Sequence, residues 1–125
     1  MGYGAIASLL LMLAVGLGAF GAHGLRARLE AYSLGIWEKA VYYHFTHAMG
    51  LLIVSVAARV GMLTKQAAAR VSQLLIAGIL LFSGSLYLLA VSGVKSLGAV
   101  TPLGGLAFIA AWLFLAVQLA RGNRK

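Results

Sequence analysis

Four apolar stretches, each long enough to cross a lipid bilayer, constrain this chain of 125 residues more than any single motif does. A membrane-spanning helix needs about 20 mostly apolar residues. We place the spans near 4–24, 40–58, 71–94 and 102–120, and none of them contains Asp, Glu, Lys or Arg. Because lipid offers no partner for backbone polar groups, each span has to be helical. The sequence therefore predicts an all-α, integral membrane four-helix bundle that forms a single transmembrane domain over 1–125.

The composition agrees with this prediction. Hydrophobic residues make up 62% of the chain and charged residues only 10%, whereas about a quarter of the residues in a soluble domain are charged. So few charges cannot cover a water-soluble surface, and the apolar excess has to face lipid or other subunits. The chain has no cysteine, which excludes disulfides and any metal site or nucleophile based on cysteine.

The connections between the spans carry their own signals. Residues 26–38 mix Leu, Tyr, Ile and Trp with charged side chains, which predicts a short interfacial amphipathic segment between helices 1 and 2. Thr64 is expected to cap the third helix, and Thr101-Pro102 marks the start of the fourth. We expect the first span to be a retained helix, because no Lys or Arg precedes it as in a signal peptide.

Charge distribution bears on partners and orientation. The chain has 10 Lys and Arg residues and 2 acidic residues. The bases lie between the spans and at the C-terminus, where they can meet anionic membrane lipids. We expect no nucleic acid partner, because no basic face with interleaved aromatic residues lies outside the bilayer.

The side that would hold both termini carries Arg59, Lys65, Arg70, Arg121, Arg124 and Lys125, and the other carries Arg26, Arg28, Lys39 and Lys95. Six bases against four predict that both termini lie in the cytoplasm.

The three histidines are the most specific candidates for a site. His23 ends the first span, and His44 and His47 lie three residues apart near the start of the second, so they share a helix face. Antiparallel helices would bring these ends to one side of the membrane, with Glu38 near the same level. One interpretation is a hydrogen-bonded cluster that ties helices together. The others are a site for zinc, copper or iron, a haem, or a protonatable site for a quinone, a lipid or a transported proton.

Small residues form the second signal. They recur on three of the spans at Ala14, Gly18, Ala22, Gly84, Gly104 and Gly105. Stripes of small residues let membrane helices approach closely. We interpret these positions as packing inside one bundle. The alternative is an interface with a second copy or with a larger membrane complex.

The chain offers little for catalysis or coupled transport. No Ser or Thr has a base and an orienting acid at a recognisable spacing, and the only carboxylate side chains are Glu30 and Glu38. We therefore expect a non-enzymatic accessory or structural bundle that oligomerises or joins a larger complex, and we expect no cofactor. Two alternatives stay open. One is a ligand-binding membrane protein whose histidines hold a metal, haem or quinone, and the other is a small channel or permease.

The run at 18–25, Gly-Ala-Phe-Gly-Ala-His-Gly-Leu, resembles the hallmark of a known family. This is a small family of multi-pass membrane proteins of unknown function that includes bacterial YgdD and YwdK and has eukaryotic relatives. The likeness continues through Trp37, Ala40, Tyr43, His44, His47, Ala48, 82–89 and 101–105. It covers nearly the whole chain and implies a multi-pass inner-membrane protein. The family has no established activity, so the resemblance assigns no catalytic residue.

Overall fold

A computed structural model describes residues 2–122, which form four long helices and contain no strand. The helices are α1 (Tyr3–Leu25), α2 (Ala31–Arg59), α3 (Lys65–Ser92) and α4 (Thr101–Gly122), and a short 3-10 turn over Lys95–Ala99 precedes α4. All four are long and apolar enough to cross a membrane. The prediction of an all-α membrane bundle is confirmed.

The helix α2 begins earlier than the sequence analysis predicts. The stretch at 26–38 is not one separate segment. Its first five residues connect the helices, and the rest forms the first turns of α2, which starts at Ala31. Trp37 explains the difference, because its side chain is only 6% exposed and its Nε1 donates a hydrogen bond of 2.9 Å to the carbonyl of Leu17. This contact holds the early turns of α2 against α1.

The boundaries of α3 follow from local chemistry. Thr64 caps the helix as predicted, since its hydroxyl accepts a hydrogen bond of 3.1 Å from the amide of Ala67. The helix ends at Ser92, just before the predicted boundary, because Gly93 adopts a left-handed conformation with φ of 71°.

Each of α1 and α3 contains one π turn, at Gly21–Leu25 and Ile79–Ser83 respectively. A π turn shifts the register of the residues on either side of it. In α3 the shift accompanies a helix-to-helix contact, because the buried hydroxyl of Ser83 donates a hydrogen bond of 2.8 Å to the carbonyl of Ala40 in α2. The polar group at this point joins two helices and does not face lipid.

The helices α2 and α3 form the centre of the bundle, with α1 against α2 and α4 against α3. In the most apolar window of each helix, 39% of the residues are buried in α2 and α3, compared with 17% in α1 and α4. The core lies where the central pair meets its neighbours and includes Ala7, Ala48, Leu51, Val54, Val71, Leu75, Phe108 and Ala111. Much of the outer surface of α1 and α4 is therefore apolar and exposed.

The small residues predicted on α1 have different positions in the packing. Ala14 is buried, and a Cβ on Gly18 would lie 3.2 Å from Cγ1 of Val41 in α2. Ala22 is exposed and does not make the predicted contact. Gly21 lies against α2 instead, because a Cβ there would come within 2.5 Å of the Trp37 indole.

The small residues of α3 and α4 also divide into two kinds. Gly104 is buried where the two helices cross, and a Cβ on it would overlap the backbone of Phe82. A Cβ on Gly105 would lie 3.9 Å from the Phe82 ring, which is an ordinary contact. A Cβ on Gly84 would lie 4.0 Å from the carbonyl oxygen of Ile79 in the same helix and would meet no other helix within that distance. Gly104 is therefore the position that allows close approach.

Candidate functional site

His44 is a buried polar group shared between α2 and α3. Its side chain is 3% exposed, and its Nδ1 lies 2.8 Å from the hydroxyl of Tyr87. The other ring nitrogen, Nε2, is buried and makes no hydrogen bond within the described residues. His44 therefore links α2 and α3 directly.

His47 faces a different neighbour. Its Nδ1 lies 2.8 Å from the carbonyl of Tyr43, so this nitrogen carries the proton and donates it. The ring is 7% exposed and stacks on Phe108 of α4, with ring centroids 3.5 Å apart and planes inclined by 13°. Trp112 lies beside it, with a centroid distance of 5.8 Å. His47 acts here as a flat aromatic surface between α2 and α4.

Aromatic rings surround both histidines. Trp37 contacts Tyr87 edge to face, with centroids 4.7 Å apart, and Phe20 of α1 lies 6.2 Å from Trp37. On the other side, Tyr43 and Phe82 have centroids 4.4 Å apart. Offset and edge-to-face pairs stabilise such contacts by about 0.5–1.5 kcal/mol beyond burial. The rings form two groups, one around His44 that joins α1, α2 and α3 and one around His47 that joins α2, α3 and α4. We refer to the two groups together as the histidine and aromatic cluster.

Residues 17–105 match the model of a family described as "Protein of unknown function (DUF423)". This chain belongs to the DUF423 family. The matched region contains the π turn of α1, all of α2 and α3, and the start of α4, so it includes most of the cluster described above. The resemblance noted in the sequence is thereby confirmed.

Named relatives agree with this assignment. The chain is 48% identical over 114 residues to the UPF0382 membrane protein YwdK of Bacillus subtilis, which covers 88% of this chain and 89% of the relative. It is 45% identical over 113 residues to a UPF0382 membrane protein of Staphylococcus haemolyticus, covering 90% of each chain. No solved structure matches the chain. This DUF423 protein is therefore a multi-pass membrane protein in a family whose function is unknown.

The predicted convergence of the histidines and Glu38 is not found in this DUF423 protein. His23 and Glu38 are exposed, while His44 and His47 turn toward different helices, α3 and α4. Among residues 2–122, no group of three or more His, Cys, Asp or Glu side chains is arranged to hold a metal ion. The spacing of three residues places His44 and His47 on one face of α2. That face packs against both α3 and α4, so each histidine contacts a different helix. In the described residues His44 and His47 therefore make two separate helix contacts, one with α3 and one with α4.

Hydroxyl groups extend the polar contacts toward the opposite side of α3. Ser85 lies 2.6 Å from the hydroxyl of Thr101 at the start of α4, and it also donates to the carbonyl of Phe82 at 2.9 Å. Together with Ser83, it gives α3 a polar contact with each helix beside it. All these groups are uncharged, so the arrangement suits hydrogen bonding between helices.

Sequence reasoning missed the aromatic members of the cluster, Trp37, Tyr87 and Phe108. The sequence analysis places Trp37 in the interfacial amphipathic segment at 26–38. One signal could have located it. The buried positions Trp37, Ala40, His44, His47, Leu51 and Val54 recur every three or four residues along α2. That spacing indicates a single buried stripe.

Proposed function

We propose that this DUF423 protein is a non-enzymatic structural or accessory bundle of the membrane. The observation that carries the proposal is the use of the buried polar groups near the middle of the bundle. His44 contacts Tyr87, Ser83 donates to the Ala40 carbonyl, and Trp37 donates to the Leu17 carbonyl. Each of these contacts joins two helices, as interhelical hydrogen bonds commonly do in membranes.

The positions of the hollows support the same proposal. Four hollows lie near the ends of the bundle, and neither His44 nor His47 lines any of them. A substrate site would combine a concave space with convergent polar groups. The concave space of these four hollows therefore lies apart from His44 and His47.

The outer face of α1 is the surface that we assign to contact with a second copy. Ala5, Met12, Gly16 and Ala19 are exposed along one side of the helix, and a Cβ on Gly16 would meet no atom within 4 Å. The outer face of α4 carries Leu106, Ile109 and Leu113, each more than 60% exposed. Small residues allow two helices to approach closely, whereas bulky ones suit lipid.

Cross-linking in native membranes tests the assigned surface. The chain has no cysteine, so a single Gly16→Cys substitution gives an unambiguous reporter. In a two-fold symmetric pair a residue at the centre of the interface meets its own copy. Under mild oxidation we expect Gly16→Cys to form a disulfide-linked dimer that migrates at twice the mass of the monomer.

Leu113→Cys is the matched control, because it lies on the outer face of α4 and is 65% exposed. We expect it to remain monomeric under the same oxidation. Equal dimer formation by both variants would indicate random collision in the membrane. A Gly16→Cys variant that stays monomeric would remove α1 as a contact surface between copies.

The proposal includes a bacterial inner-membrane location with both termini in the cytoplasm. Arg59, Lys65, Arg70 and Arg121 lie at the end of the bundle that holds both termini. The further bases counted for this side, Arg124 and Lys125, lie outside the described residues. Positive residues in short loops favour the cytoplasmic side.

Cysteine labelling in right-side-out membrane vesicles tests this orientation. Met62→Cys reports on the connection between α2 and α3, where Met62 is 60% exposed, and Ser96→Cys reports on the exposed 3-10 turn before α4. We expect an impermeant maleimide to label Ser96→Cys at once and Met62→Cys only after permeabilisation. The reverse pattern would place the termini outside the cytoplasm.

A further inference from the structure

Two adjoining hollows lie where α1 begins, α2 ends and α3 begins. The first has a volume of about 300 Å³, the second about 480 Å³, and Tyr3, Ser55 and Arg59 line both. Lys65, Ala68 and Ser72 complete one wall of the first hollow, and Leu52 and Val56 line the second. This pair of hollows, which we call the α1–α3 hollow, lies at the end of the bundle where α2 ends at Arg59 and α3 begins at Lys65.

The charge at the α1–α3 hollow is positive and lacks an acidic side chain to neutralise it. Arg59 and Lys65 both line the first hollow. The only acidic residues of the chain are Glu30 and Glu38, and Glu38 precedes Arg59 by 21 residues on α2, about 30 Å along the helix. A hollow at the opposite end of the bundle is lined by Lys95 and also by Glu30. Among the four hollows described between residues 2 and 122, the α1–α3 hollow is therefore the one that combines two bases without an acid among its lining residues.

An unsatisfied hydroxyl supplies an independent observation at the same place. Ser72 lines the first hollow, is 1% exposed, and its Oγ has no hydrogen-bond partner among the described residues. A buried hydroxyl without a partner costs free energy that a bound acceptor can offset. Beside it, the Tyr3 hydroxyl accepts a bond of 3.4 Å from Gln73 of α3, which leaves its own proton free to donate.

The hollow continues from a polar end to an apolar one. Arg59 marks the polar end, and Leu52 lies seven residues earlier on the same helix, about 10 Å deeper in the membrane. A free phosphate ion would use only the polar end. A phospholipid would use both, with its phosphate beside the bases and its glycerol and first methylenes against Leu52 and Val56.

We propose that the α1–α3 hollow binds the headgroup phosphate of an anionic phospholipid. Arg59 contacts two phosphate oxygens through its planar guanidinium group, Lys65 supplies a second positive charge, and the Ser72 hydroxyl donates a hydrogen bond. Leu52 and Val56 contact the start of one acyl chain. The site does not depend on the orientation given above, and it adjoins the α1 face assigned to a second copy at Ala5, which lines the second hollow.

Lipid retention by the purified full-length chain tests this proposal. The protein in mild detergent is mixed with phosphatidylglycerol or with phosphatidylcholine of the same acyl chains, and bound lipid is counted by native mass spectrometry. We expect phosphatidylglycerol to be retained preferentially. Loss of one charge-assisted contact in Arg59→Gln or Lys65→Gln should weaken that retention about tenfold.

Arg70→Gln is the matched control, because Arg70 is an exposed base on α3 that does not line either hollow. We expect it to retain phosphatidylglycerol as the unmodified protein does. Equal retention of both lipids by the unmodified protein, or equal loss in Arg70→Gln and Arg59→Gln, would overturn the proposal. The comparison of the two lipids uses only the unmodified protein, so it tests the proposal even if a substitution prevents folding.

A competition experiment separates a lipid from free phosphate. Inorganic phosphate is added at millimolar concentration to the complex with phosphatidylglycerol. We expect the lipid to stay bound, because the ion makes no contact with Leu52 or Val56. Displacement of the lipid by phosphate alone would show a simple anion site and would overturn the assignment to a phospholipid.

Discussion

Gly104→Ala is expected to destabilise this protein severely, by about 3 kcal/mol or more. The added Cβ would overlap the backbone nitrogen and Cα of Phe82. A flexible side chain could rotate away from such a contact, but a helix backbone cannot, so α3 and α4 would have to separate. That separation would also disturb the ring contact between Phe82 and Phe108, whose centroids are 5.7 Å apart. The higher helix propensity of alanine, about 1 kcal/mol, offsets only part of this cost.

Reversible unfolding in mixed micelles, titrated with sodium dodecyl sulfate, measures the effect. Gly105→Ala is the matched control, because the same methyl group placed one residue later would lie 3.9 Å from the Phe82 ring. We expect the control to unfold at or slightly above the midpoint of the unmodified protein. Equal midpoints for Gly104→Ala and the unmodified protein would show that α3 and α4 are not in close contact at Phe82.

Trp37→Ala should have the second large effect. The substitution removes the hydrogen bond from Nε1 to the Leu17 carbonyl and the ring contact with Tyr87. It also leaves a cavity beside Gly21, which lies against the indole. Replacing a buried Trp or Phe by Ala costs about 3–5 kcal/mol in soluble proteins. In a membrane the hydrophobic part of this cost is smaller while the lost packing remains, so we expect about 3 kcal/mol.

Two control variants separate the loss of the Trp37 ring from the loss of its hydrogen bond. Trp112→Ala removes the other tryptophan, which is 39% exposed, and should cost clearly less. Trp37→Phe keeps an aromatic ring but loses the hydrogen bond to the Leu17 carbonyl, so its midpoint should lie between those of the unmodified protein and Trp37→Ala. If Trp37→Ala and Trp112→Ala unfolded at the same midpoint, the early turns of α2 would not depend on Trp37.

The candidate site was predictable in its residue types but not in its arrangement. The sequence analysis proposes His44 and His47 as site residues because they are ionisable groups near the start of a span. In the structure both are buried. Their partners Tyr87 and Phe108 come from α3 and α4. Helical spacing within α2 describes one face but does not say which neighbour that face meets. The same limit explains why His23 was grouped with them although it is exposed.

The apolar pattern alone is enough to predict that this chain crosses a membrane as four helices. That result depends on each segment alone, since about 20 uncharged apolar residues in lipid must pair their backbone groups internally. Contacts between helices set three further features: α2 starts at Ala31, Gly21 and not Ala22 lies against Trp37, and the two buried histidines contact different helices. These features depend on contacts between segments that are far apart in the chain. Because lipid is as apolar as the helices, hydrophobicity does not select which helices pack against each other.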